Sequence, residues 1–96
     1  MEINLTVIIK SKSENREDLK TILQNLVENS RKELACVQYD LHQNIDDSNI
    51  FIFHEIWKNK EGLDLHNKQS YLLNFKQVAE SLLQEKIIVY STSKIE

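Results

Sequence analysis

The stretch Cys36-Val37-Gln38-Tyr39-Asp40-Leu41-His42-Gln43-Asn44-Ile45-Asp46-Asp47-Ser48-Asn49-Ile50-Phe51-Ile52-Phe53-His54-Glu55-Ile56-Trp57 decides the fold. Its two ends alternate in polarity, and residues 44–49 between them are rich in Asn, Asp and Ser. A period of two places successive side chains on opposite faces of a strand, and Asn, Asp and Ser bend the chain between strands. The stretch therefore reads as a β-hairpin. Val37, Tyr39 and Leu41 are expected on one face of its first strand, with Cys36, Gln38, Asp40 and His42 on the other. In its second strand Phe51, Phe53, Glu55 and Trp57 share one side, and Ile52, His54, Ile56 and Lys58 the other.

Upstream, Ile3, Leu5, Val7 and Ile9 alternate with Asn4, Thr6 and Ile8, so Met1–Lys10 holds another strand. A polar link, Ser11-Lys12-Ser13-Glu14-Asn15, offers several helix caps. Leu19, Ile22, Leu23, Leu26 and Val27 then follow the helical i, i+3, i+4, i+7, i+8 spacing within residues 14–32. Downstream, Asn59 suits an N-cap, and Glu61 sits in the first turn where the helix dipole favours an acid. The helical pattern runs to about Gln84, with Leu72, Phe75, Val78, Ala79, Leu82 and Leu83 as its stripe. Polar Lys68-Gln69-Ser70 predicts a bend, hence a short helix followed by a longer one. Ile87–Thr92 is the final strand. The order β-α-β-β-α-β predicts a single α+β domain over residues 1–96. It is ferredoxin-like, an antiparallel four-stranded sheet with helices on one face.

Such a fold leaves one sheet face bare. Here Ile8, Ile52, Ile56 and the apolar run Ile87-Ile88-Val89 keep that face from being polar. Strands apolar on both sides need cover on both sides, and a two-fold copy is the simplest cover. A domain of this length buries only about 60–65% of its unfolded surface, which adds a reason to associate. A homodimer through the sheet face is the expectation.

Composition removes several function classes. The net charge is −3 and the 12 basic residues are scattered, which disfavours nucleic acid as a partner. Phe51 and Phe53 alternate as in sheet-based RNA binders, but no Lys/Arg-Gly-Phe motif accompanies them. No apolar run reaches the roughly 18–20 residues of a membrane span, and the N-terminus lacks signal-peptide features. A lone cysteine, Cys36, allows no internal disulfide and suits a cytoplasmic location. His42, His54 and His66 fall on different elements without the His-Glu-x-x-His pattern, so no metal site is expected. A single glycine leaves no Gly-rich phosphate loop.

The hairpin, together with Lys60-Glu61-Gly62-Leu63-Asp64-Leu65-His66, resembles the antibiotic biosynthesis monooxygenase domains. That family pattern is a strand ending Glu-x-Trp, a short helix ending in His, a second His-aromatic pair and a long helix. Length and element order agree over essentially the whole chain. The resemblance implies a dimeric α+β barrel. It further implies an oxygenase that uses neither metal nor flavin, because the substrate itself supplies electrons to dioxygen. The chain departs from the pattern twice. Glu33-Leu34-Ala35 stands where relatives carry Glu-Pro-Gly, and Tyr71 stands at the second histidine.

The candidate catalytic residues are His66, Glu55 and Tyr71; the candidate substrate walls are Trp57, Phe51, Phe53, Tyr39 and Phe75. An imidazole at the end of the short helix titrates near neutrality and can take a phenolic proton. A glutamate pointing into a core needs partners, so Glu55 reads either as a structural carboxylate or as a pocket group. Trp57 either packs the core or stacks on a flat ring, and Tyr39 and Tyr71 either pack or orient a substrate oxygen. Asn4 and Thr6 are polar, but strand parity turns them away if Leu5 faces the helices. His42 and His54 are expected on the opposite sheet face, Asp46-Asp47 in a turn, and Cys36 as a small buried hydrophobe. Three functions follow. The first is oxygenation of a small aromatic or quinol-type compound. The second is isomerisation of a small metabolite by the same acid/base set, as in a signal-degrading branch of the family. The third is a non-catalytic ligand-binding dimer of stress-related type.

Overall fold

A computed structural model describes all 96 residues. The strands are β1 (Ile3–Lys10), β2 (Cys36–Gln43), β3 (Ile50–Trp57) and β4 (Ile88–Thr92). The helices are α1 (Arg16–Ser30), α2 (Lys60–His66) and α3 (Ser70–Leu82). One antiparallel sheet has the order β2-β3-β1-β4. The fold is the ferredoxin-like α+β arrangement that the periodicities predict.

The core forms where the helix stripes meet one sheet face. Val7 and Ile9 of β1, Tyr39 of β2 and Phe51, Phe53 and Trp57 of β3 face Leu19, Leu23 and Leu26 of α1 and Leu72, Phe75 and Ala79 of α3. Alternation puts Asn4, Thr6 and Ile8 on the bare face, where Ile8 pairs with both Ile52 and Ile88. Ile50, Ile52 and Ile56 lie half-buried beside it, and Tyr90 is exposed. His42 and His54 share this face with ring centroids 5.2 Å apart, as expected. The 44–49 segment closes the hairpin by local bonds from Asn49 N to Asp47 Oδ1 and from Ile50 N to Asp47 O.

Three expectations need correction. First, β2 is not evenly alternating: Cys36 pairs with Trp57 but Gln38 pairs with Ile56, so Val37 is the extra residue of a β-bulge. Val37 is exposed and Cys36 packs against the core, the reverse of the faces predicted. Second, the first helix is shorter than 14–32, because a 3₁₀ turn over Ser13–Asn15 precedes it and a turn follows Ser30. Third, α3 stops at Leu82 rather than Gln84. Leu83 takes an extended conformation and bridges to Ser11, while Gln84 N donates to Lys10 O. The pull of the β1 end therefore overrides helical continuation. Val78, within α3 and expected in its stripe, is exposed.

Candidate active site

β3 ends Glu55-Ile56-Trp57, and alternation drives Glu55 and Trp57 to the helix side together. Asn59 then caps α2, its side chain accepting from Gly62 N at 2.8 Å. A side chain at 62 would collide with Ala35 Cβ, so only glycine lets α2 lie this close to the 33–35 turn. Two turns later His66 closes α2 and is 3% exposed. The Lys68-Gln69-Ser70 break separates α2 from α3, and Tyr71 begins the first turn of α3.

Six groups meet here in one network. Trp57 Nε1 donates to Glu55 Oε1 at 2.9 Å. The Trp57 ring lies over His66 with centroids 4.2 Å apart and planes inclined by 33°. Tyr39 presents an edge to the same imidazole at 5.7 Å. On its far side, His66 Nδ1 lies 2.7 Å from Glu33 Oε2, the oxygen that also accepts from the Tyr71 hydroxyl.

Between sheet and helices lies a cavity of about 390 Å³. Its walls are mostly apolar, from Leu5, Val7, Ile9, Phe53, Leu72, Phe75 and Val89. Glu55, His66 and Tyr39 contribute the polar groups, and Asn67 and Lys76 complete the lining. Volume and lining match small-molecule sites, which run about 300–1,000 Å³ and carry few polar groups. Of the predicted residues, Glu55, His66, Tyr39, Phe53 and Phe75 meet here. Trp57 and Phe51 do not line the cavity; both are fully packed in the core. Tyr71 does not line it either. It faces a separate outer cleft with Glu33, Asn29, Lys32 and Gln69, and that cleft shares no lining residue with the cavity.

The electrostatics separate the two candidate proton carriers. Burial pushes the Glu55 carboxyl up to about 7, against the pull of the Trp57 N–H, and the nearby Glu33 adds to the rise. Burial lowers His66 below the usual imidazole value, although its bond to Glu33 works the other way. His66 is therefore neutral near pH 7, while Glu55 holds its proton about half the time. The phenols of Tyr39 and Tyr71 are raised by burial, so both remain protonated donors. Burial likewise raises Cys36, which disfavours its thiolate.

Glu33 was not among the residues singled out by the sequence. It sits in a turn, where no periodicity marks it. The available signal was that it is the one residue of the Glu-Pro-Gly triplet retained in this chain.

Comparison with known proteins gives consistent results. Residues 3–83 match the family model described as Antibiotic biosynthesis monooxygenase. The chain is 33% identical over 90 residues to a Bacillus subtilis protein named Putative monooxygenase YcnE, covering 94% of this chain and 95% of that one. It superposes on the crystal structure of PA3566 from Pseudomonas aeruginosa with a TM-score of 0.93 and 32% identity, covering 99% and 95% of the two chains. The structure of Rv0793 from Mycobacterium tuberculosis shares the fold at a TM-score of 0.93 with 20% identity, covering 100% and 97%.

Proposed function

Since the chain belongs to the antibiotic biosynthesis monooxygenase family, we propose that it oxygenates a small aromatic or quinol-type compound, as a homodimer and without a flavin or metal. The observation that carries this reading is the cavity itself. A neutral imidazole and a carboxyl that titrates near 7 share one apolar wall of a space sized for a small ring.

The chemistry runs as follows. His66 Nε2 takes a hydroxyl proton from the substrate, and the O–H electron pair stays on the ring as an electron-rich anion. That anion gives electrons to dioxygen and forms a carbon–oxygen bond, leaving a ring peroxide. His66 returns its proton to the distal oxygen, giving a hydroperoxide. Glu55, in its acid form, then protonates that same oxygen as the O–O bond breaks and water leaves, while the C–H bond at the oxygenated carbon breaks, its electron pair forming the new C=O and its proton passing to the Glu55 carboxylate. For a quinol the balance is quinol plus dioxygen to hydroxyquinone plus water, with every electron drawn from the substrate. Dry, apolar walls favour the step, because proton transfers and developing charge are not diluted by solvent. Tyr39 and the rings of Phe53 and Phe75 hold the substrate plane.

Dioxygen uptake with a panel of quinols and polyphenols tests the reading. Wild-type protein should consume oxygen with at least one of them, and His66→Ala should lose roughly 10²- to 10⁴-fold in rate, the usual contribution of a general base. Equal rates in the two proteins remove His66 from the mechanism. The same pair of proton carriers also supports isomerisation of a keto or hydroxy metabolite, and turnover without oxygen would select that reading. The homodimer rests on the apolar bare face around Ile8, Ile52 and Ile88. A cytoplasmic location belongs to the same proposal; no helix is long and apolar enough to cross a membrane.

A further inference from the structure

We propose that Glu33 is the positioning residue of this site: its carboxylate holds His66 in the Nδ1–H tautomer, so that the Nε2 lone pair is offered to the cavity. The inference rests on the reading of His66 as the base.

Three observations carry it. His66 Nδ1 lies 2.7 Å from Glu33 Oε2, and the carboxylate oxygen can only accept there. Which ring nitrogen bears the hydrogen is set by the partner of the other, so the Glu33 contact decides the tautomer. Nε2, by contrast, has no protein partner and is not sealed from solvent, although the residue as a whole is buried. The imidazole lines the cavity, so that free nitrogen has its outlet there. Left alone, a neutral imidazole carries its hydrogen mainly on Nε2, which would put a donor where the reaction needs an acceptor.

Glu33 is itself fixed, as an orienting group must be. The Tyr71 hydroxyl donates to Oε2 and Gln69 Nε2 approaches Oε1 at 3.5 Å. Its backbone N–H donates to Ser30 O and its carbonyl accepts from Cys36 N, each at 3.1 Å. Two residues on, Ala35 O accepts from Lys58 N at 2.8 Å, which ties the turn to the end of β3. The ring on the other side is wedged between Trp57 and the edge of Tyr39. The step that this geometry serves is simple. A substrate O–H bond breaks, a bond from Nε2 to hydrogen forms, and the resulting imidazolium faces a carboxylate rather than bare hydrocarbon. Tyr71 then acts by holding Glu33 and transfers no proton itself, which accounts for a phenol at a position where the family carries histidine.

The test is nitrogen-15 NMR of the labelled full chain together with oxygen-uptake kinetics. Wild-type His66 should show a protonated Nδ1 and an unprotonated Nε2. Glu33→Ala should reverse the two signals. Glu33→Gln keeps an acceptor without charge, so it should retain the tautomer and lower the His66 titration midpoint. With an oxidisable substrate, Glu33→Ala should lose roughly 10- to 100-fold in kcat, the scale known for partners that orient metal-ligating histidines, with KM little changed. A wild-type Nε2–H tautomer overturns the proposal. So does a folded Glu33→Gln whose His66 midpoint does not move. If no substrate is oxidised, the oxygenase reading fails, while the tautomer signals still judge Glu33 separately.

Discussion

Trp57 stacks on His66 and, through Nε1, hydrogen-bonds Glu55, so one indole touches both candidate proton carriers without lining the cavity between them. Its N–H stabilises the ionised form of Glu55 and restrains the rise that burial imposes. Trp57→Phe keeps an aromatic ring over His66 and removes that donor. The Glu55 midpoint should move above about 7, and the alkaline limb of a kcat profile that needs the acid form should move up with it. A pH–rate profile checks this, and an unmoved limb denies Glu55 the acid role.

Glu55 should also make folding stability depend on pH, with a definite sign. Its pKa is about 7 in the fold and near 4.5 when unfolded, so the native state binds the extra proton. Stability is then full below about pH 4.5 and falls as pH rises toward 7, and the loss amounts to roughly 3 kcal/mol. Glu55→Gln mimics the protonated carboxyl and should remove that dependence. Urea unfolding at pH 5 and pH 8 measures it: the variant should gain on wild type at pH 8 and show little advantage at pH 5.

Gly62→Ala should cost about 1–3 kcal/mol, the range for overpacking a fitted contact, because the new methyl meets Ala35 Cβ. Ala35→Gly in the same chain should restore most of the loss, since residue 35 has no side chain left to collide and its backbone stays in the ordinary negative-φ region. Thermal melts of the wild type and the two variants decide the matter; a failed rescue would place the strain elsewhere in α2.

Ser30 is fully buried at the end of α1, and its hydroxyl has no partner. An unpaired buried hydroxyl costs about 1–3 kcal/mol, and alanine is the better helix former. Ser30→Ala should therefore raise the melting temperature by several degrees. A drop instead would mean that the hydroxyl serves Tyr39 or Tyr71, the two phenols whose acidity it influences although it forms no hydrogen bond to either.

The bare sheet face supplies the last prediction. Ile52 is half-buried at its centre, between Ile8 and His42 in the strand pairing. The wild type should sediment as a dimer at micromolar concentration, and Ile52→Lys should sediment as a monomer, because a charge would be desolvated in the interface. A wild type that sediments as a monomer removes the dimer from the functional reading.

Most of the fold was legible because it rests on periodicity. The alternation of Ile3–Ile9 and Phe51–Trp57, the stripe from Leu19 to Val27 and the polar break at Lys68-Gln69-Ser70 each have a direct physical meaning. What escaped notice depends on long-range geometry. The Val37 bulge inverts two side chains, and nothing local distinguishes Cys36-Val37-Gln38 from a regular strand. The end of α3 is set by the Ser11 bridge, some seventy residues away in the chain. At the site, Glu55 and His66 are legible because one lies in the alternation of a strand and the other ends a helix. For Trp57 the sequence leaves core packing and a pocket wall open; the structure has it close the core and leaves the cavity to Tyr39 and Phe53. Glu33 reaches His66 and Tyr71 across more than thirty residues, a relation that no pattern in the chain encodes.

The outer cleft beside Glu33 has a pharmacological consequence. A small amine or guanidine lodged among Asn29, Lys32, Gln69 and Tyr71 would compete for the Glu33 carboxylate from outside. If His66 is the base, such a compound would weaken it while leaving the substrate cavity open, and inhibition would then be noncompetitive, acting on kcat. Compounds selected against that cleft would also remain effective at saturating substrate.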